Sequence, residues 1–264
     1  MRLPVSLVLY IMLASRAFGH EFWISPERYQ LGAGDTLQVT TRIGEKFKAP
    51  SRPHLPGALV RYEALTPQGA QPVTGRMGDD PLSVELPEGL SVLVLETRPV
   101  ELTYKDAEIW KRFLRHKDFP WAEARNAARG LPEEGVRERY VRYAKALVAV
   151  GDGAGQDRAA GLRTEIVALE NPYLGARDSL PVEVLLEGAP RADAQVELFE
   201  RAPDGTVAVT LHRTDAGGRA ELPVKPGYAY LADAVVLEEL PGDGGAEGPA
   251  WQTLWASLAF AVPR

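Results

Sequence analysis

Four histidines supply the imidazole chemistry of this chain, and one of them, His20, stands where a proteolytic cut would give it a second donor. Ala17-Phe18-Gly19 places small residues on both sides of a bulky one, the pattern of a secretory cleavage site. A cut after Gly19 leaves His20 with a free α-amine beside its imidazole, two nitrogens on one short tether. An α-amine, with an ordinary pKa of about 7.7–8.0, yields its proton to a metal at lower cost than a lysine ammonium at about 10.4. Such a pair suits nickel or cobalt, and copper or zinc equally. His54, in the proline-rich stretch Pro50 to Pro56, is a further nitrogen that a loop can swing over the N-terminus. The plainer alternatives are that Gly19-His20 only marks the end of a signal, and that His54 is a solvated loop residue.

The other donors carry weaker arguments. His116 lies between Arg115 and Lys117 at the end of an expected helix, where the negative end of the dipole accounts for it. His212, before Arg213 on an expected strand, reads as surface. No pair has H-x-x-x-H or H-E-x-x-H spacing, so no local zinc-enzyme motif exists. Glu21 adjoins His20 but points to the opposite face of a strand, which makes it a poor co-ligand. Catalysis finds no support: there is no G-x-S-x-G elbow and no recognisable glycosidase carboxylate pair, so the chain reads as a non-enzyme. A copper oxygenase with an N-terminal histidine would share the opening but needs a second imidazole beside the first.

Composition sets the compartment. Arg2 precedes an apolar run from Val5 to Ala14, shorter than the roughly 20 residues of a membrane span, and Arg16 follows it. Residues 1–19 therefore read as a cleaved signal peptide, predicting a periplasmic or secreted protein that is not integral to the membrane. The absence of cysteine excludes a lipoprotein anchor, disulfides and thiolate ligands, leaving nitrogen and oxygen for any metal. The net charge is −6, and loss of Arg2 and Arg16 with the signal leaves −8. That balance argues against nucleic acid as a partner.

The elements that must hold these residues are mostly strands. Phe22 and Ile24 alternate with Trp23 and Ser25; Leu37, Val39 and Thr41 alternate after a glycine-rich turn; Ala58 to Leu65 and Leu90 to Thr97 continue the pattern. Between Lys105 and Val150 the period changes. Ile109, Trp110, Phe113 and Leu114 predict one helix, Asp118 and Pro120 begin a second that Gly130 ends, and Val136, Tyr140, Tyr143, Ala144 and Leu147 predict a third. On that third helix Glu138 and Arg142 form a one-turn salt bridge. Gly151 to Gly155 reads as a flexible linker or loop. Seven short strands then follow between Arg163 and Val262, with turn signals between them, as in an immunoglobulin-like or prealbumin-like sandwich. The expected fold is mainly β with two sandwich-like domains: 20–160, carrying a helical insert at about 105–150, and 161–264.

Several phrases together resemble one family. His20-Glu21-Phe22-Trp23-Ile24, the run Glu138 to Leu147, Glu165 followed by Asn171-Pro172-Tyr173, Thr214-Asp215-Ala216-Gly217-Gly218, and Leu254-Trp255-Ala256-Ser257-Leu258 are similar in order and spacing to the DUF4198 family. That family is also described as the periplasmic component of nickel/cobalt uptake systems. The resemblance implies a periplasmic β-protein that captures nickel or cobalt for a membrane metal transporter, with His20 at the metal-binding position. The family's frequent histidine on the strand Tyr228 to Leu237 is missing here. The alternative reading is an envelope interaction or glycan-binding module without metal.

Overall fold

The computed structural model describes residues 20–264, so the signal-peptide reading of residues 1–19 lies outside the described residues. Strands β1 (Glu21–Pro26), β2 (Gln30–Leu31), β3 (Thr36–Gly44) and β4 (Ser51–Arg52) open the fold. A single 3-10 turn at Pro56–Ala58 leads to β5 (Leu59–Thr66), β6 (Gly69–Pro72), β7 (Leu82–Glu85), β8 (Gly89–Thr97) and β9 (Val100–Tyr104). Helices α1 (Ala107–His116) and α2 (Trp121–Ala128) precede β10 (Val136–Val150). The remainder is strand: β11 (Thr164–Ala168), β12 (Ser179–Leu186), β13 (Ala189–Pro190), β14 (Gln195–Arg201), β15 (Val207–Arg213), β16 (Arg219–Pro223), β17 (Ala229–Glu239) and β18 (Trp251–Ala261).

The fold is mainly β, as the alternation predicts. In the C-terminal half β11-β12-β16 forms one sheet and β15-β14-β17-β18 runs in the other. These are the strand neighbours of an immunoglobulin-like sandwich. In the N-terminal half β1, β3, β4 and β7 form a small sheet, while β6-β5-β8-β10 belongs to the large one. The large sheet crosses from one half to the other because β10 and β18 pair in parallel, from Glu138 opposite Trp251 to Ala146 opposite Ala259. One apolar core follows it, drawing Trp23, Val94 and Leu147 from the first half together with Val184, Leu198 and Phe260 from the second.

Two expectations fail here. The helical insert ends at Ala128, and residues 136–150 form a long strand instead of a third helix. Every residue from Tyr143 to Val150 is buried, because both faces of this central strand are covered. Such a run loses its period of two, and its apolar positions then coincide with helical spacing. Glu138 and Arg142 consequently make no helical pair. Glu138 is buried and accepts hydrogen bonds from Tyr104 Oη (2.8 Å) and from Thr253 Oγ1. Residues 151–155, expected as a flexible linker or loop, form a loop, and it is pinned. Asn171 Nδ2 donates to the Gly153 and Gly155 carbonyls at 2.8 and 2.9 Å, and Lys145 Nζ, fully buried, grips Asp157 at 2.9 Å.

The two helices that do form pack as one unit on the large sheet. Asp106 caps α1 by accepting from the Glu108 N–H at 2.8 Å, and Pro120 precedes α2. Trp110, Phe113 and Leu114 of α1 bury themselves against Tyr104, Trp251 and Trp255. Trp251 Nε1 donates to Asn126 Oδ1 of α2 at 2.9 Å, which fixes that helix to β18. Among the described residues no helix is long and apolar enough to cross a membrane.

Candidate metal centre

Glu21 begins β1 opposite Gly44, the last residue of β3. A side chain at Gly44 would meet the Lys48 carbonyl at 2.3 Å, so glycine alone lets residues 45–48 fold back tightly. Lys46 and Phe47 complete the turn at φ 53° and 56°, held by Phe47 packing edge-on against Trp23 at 5.5 Å. The result sets Glu45 Oε1 3.6 Å from His20 Nε2.

Helix α1 brings the next residues from the other side. It ends with Asp118 in the left-handed region (φ 67°), and the Phe119 N–H returns to the Leu114 carbonyl at 2.7 Å, a Schellman-type stop. That stop turns His116 and Lys117 toward the start of β1. Lys117, 4% exposed, reaches Glu197 Oε2 at 2.8 Å, Asp233 Oδ2 at 3.0 Å and Glu21 Oε1 at 3.4 Å. Its ammonium also lies 4.8 Å from the centre of the Trp255 ring. His116 Nε2 stands 3.2 Å from the other oxygen of Glu197.

Three buried carboxylates thus share one lysine, with an exposed imidazole at the edge. Burial pushes Glu21 up to about 7 and Asp233 up to about 6, each raised further by the neighbouring acids and opposed by Lys117. Glu197 is also buried, yet the hydrogen bonds and charges of His116 and Lys117 win and hold it below the usual carboxylate range. His116 is raised by its hydrogen bond to Glu197. Glu21 Oε2 and Asp233 Oδ1 are buried without a hydrogen-bond partner. The cluster therefore has more acid than its lysine neutralises, and near pH 6–7 it retains protons that a cation can displace.

Donor atoms of Glu21, His116 and Glu197 lie within 4.8 Å of one another, a spacing that one metal ion can bridge. Mixed carboxylate and imidazole donors suit zinc, nickel and cobalt, and carboxylate favours manganese as well. Beside them is a cavity of about 320 Å³, bordered by Glu21, Glu45, His116, Phe113, Phe199 and Val209, with Lys46 and Arg112 also in its wall. Those two cations oppose long-range attraction of a metal, so retention would depend on direct coordination.

The histidines fall in separate places. His20 is half-buried beside Glu45, next in sequence to Glu21. His54 lines a different cavity with Phe22, Arg52 and Arg142, and its ring lies 6.4 Å from that of Tyr62. His212 bonds Thr210 Oγ1 at 2.8 Å on exposed β15. Sequence reasoning passed over His116 and Glu21 and did not reach Glu197, Asp233 or Lys117. A signal existed: Glu197 and Asp233 each interrupt an apolar strand run, and a buried acid needs a partner.

Comparisons with known proteins follow from this geometry. No curated protein matches the chain. Among solved structures, a tetra-tandem repeat from the extending region of a large adhesion protein aligns at 12% identity and TM-score 0.19, covering 91% of this chain and 49% of that one. The D0-D1 domain of intimin aligns at 12% identity and TM-score 0.21, covering 91% and 97%. Trypsin-activated alpha-2-macroglobulin from Escherichia coli aligns at 14% identity and TM-score 0.22, covering 92% and 16%. The chain thus spans about half the length of the adhesion repeat. The model of the domain of unknown function DUF4198 matches residues 17–238, and the chain belongs to that family.

Proposed function

We propose that this protein is an extracytoplasmic binding protein that captures a divalent transition ion, nickel or cobalt by family resemblance, and hands it to a membrane transporter. The observation that carries the reading is the convergence of Glu21, His116 and Glu197 within 4.8 Å beside an unpartnered Glu21 oxygen. Lys117 keeps the carboxylates together in the metal-free state, and the ion completes the neutralisation. Cleavage after Gly19 adds the His20 amine one residue from Glu21, and Glu45 beside the His20 ring is a further oxygen donor. His54 has no part in this centre, since Arg52, Arg98 and Arg142 line its cavity and repel a dication.

The test has two parts. Mass spectrometry of the exported protein should find His20 as the first residue. Calorimetric titration of that form with nickel and cobalt should show one site per chain, weakened at least tenfold in His116→Ala. Equal binding by the variant refutes this ligand set.

A second reading, an envelope interaction module without metal, draws on β15, which among the described residues pairs only with β14 and exposes Val209 and Leu211. It predicts no saturable metal binding. Of the five tryptophans only Trp121 is exposed, which does not favour a glycan-stacking platform.

A further inference from the structure

A second cavity, of about 190 Å³, opens between the small sheet and the large one on the side of β1 marked by Phe22. Its charged lining is entirely basic. Arg52, Arg98 and Arg142 border it together with His54, and no aspartate or glutamate does. None of the three arginines is ion-paired to a carboxylate among the described residues.

Arg142 is the central one. Its position on β10 is set by its own N–H, which donates to Thr97 Oγ1 at 3.0 Å. The guanidinium stacks over the Tyr140 ring at 4.5 Å and lies 5.8 Å from the centre of the Phe22 ring. Its Nε is buried and has no hydrogen-bond partner. Glu138 is the acid that acts on it from the same strand, but that carboxylate is turned to Tyr104 and Thr253 and does not border the cavity. Asp79 acts on His54 but is engaged by Arg76, through the backbone N–H at 2.8 Å and Nε at 3.4 Å. Arg98 donates from Nε to the Gly57 carbonyl at 3.1 Å.

The remaining wall is largely apolar, with Phe22, Ile43, Leu59 and the exposed Leu55 and Val100, and Thr41, Thr97 and Tyr140 add its uncharged polar groups. Arg142 is half-buried, and its side-chain hydrogen bond goes to Tyr140 and not to a carboxylate, which leaves Nε unpartnered; the fork geometry of arginine matches a carboxylate with two parallel hydrogen bonds. We infer that this cavity is a binding site for a small organic carboxylate whose anionic head meets Arg142 and whose apolar body of a few carbons lies against Phe22, Ile43 and Leu59. The site is separate from the metal centre and does not depend on that reading.

Calorimetric titration of the exported chain at pH 7 with hexanoate, sulfate and hexanol tests it. Hexanoate should bind saturably with one site per chain, and at least tenfold more tightly than sulfate or hexanol. Arg142→Gln should weaken hexanoate at least tenfold. Arg98→Gln, at an exposed position, should weaken it severalfold and keeps the test decisive if Arg142→Gln does not fold. Absence of saturable hexanoate binding, or undiminished binding by the folded variants, overturns the proposal. Sulfate binding as tightly as hexanoate overturns the role of the apolar wall, and hexanol doing so overturns the role of the arginines.

Discussion

Glu197 of β14 and Asp233 of β17 face each other as register partners, and both reach Lys117 Nζ, at 2.8 and 3.0 Å. Like charges directly opposite on neighbouring strands repel, so the sheet at this point depends on the cation that α1 delivers. The helix stop is thereby coupled to the sheet and, through Glu21, to the start of β1.

Removing that cation should be severe. Lys117→Met leaves three buried carboxylates without their lysine, and breaking one side of a buried ion cluster costs roughly 3–5 kcal/mol. Chemical denaturation at pH 8 should show a loss of that order. The loss should shrink at pH 5, where Glu21 and Asp233 take up protons. A loss independent of pH would show that the three acids are not what Lys117 holds.

Metal affinity should rise with pH. Glu21 titrates at about 7, and His116 is raised by Glu197, so below pH 7 an ion must displace protons from its own ligands. Nickel binding is expected to tighten by at least about tenfold per pH unit between 5.5 and 7, because Glu21 and His116 each give up a proton to the ion. Calorimetry in buffers of different ionisation enthalpy should find between one and two protons released per ion at about pH 6. Affinity flat across that range would exclude Glu21 and His116 as ligands.

Glu138 offers a cleaner case of linkage. Burial raises it from 4.5 to about 7, opposed by its hydrogen bonds to Thr253 and Tyr104. Because the folded state holds this proton more tightly than the unfolded chain, its contribution is present below about pH 4.5 and is lost as pH rises through about 7. The shift corresponds to roughly 3 kcal/mol. Glu138→Gln should flatten the fall in stability between pH 4.5 and 7 and leave the variant at least as stable as the parent at pH 8. Denaturant titrations across pH check this, and an unchanged pH slope would contradict it.

Much of this architecture is legible in the sequence. Alternation marks β3 and β12, which have one face on the core, whereas β1, β17 and β18 are buried nearly throughout and are marked by the turn signals that bound their apolar runs. β10 is not legible, since a strand buried on both faces carries no period. The site divides in the same way. His20 is marked by its place at a cleavage signature, a purely local feature. His116 and Lys117 resemble ordinary helix-end cations, and only the register that sets Glu197 opposite Asp233 reveals what they serve.

Packing beneath the end of α1 should also reach the site. Phe113 stacks on Tyr104 at 5.9 Å and lies 6.0 Å from Trp255, clamping the last turn of α1 to β18. Phe113→Ala should cost roughly 3–5 kcal/mol of stability and weaken metal binding, because His116 loses its support. A destabilised variant with parental nickel affinity would show that α1 does not position a ligand.

The most direct measurement is anomalous scattering from crystals of the processed chain, beginning at His20, grown with nickel or cobalt. The account predicts a single strong peak bonded to Glu21, His116 and Glu197. A peak at His54, or none at that cluster in crystals whose solution binds the ion, would contradict it.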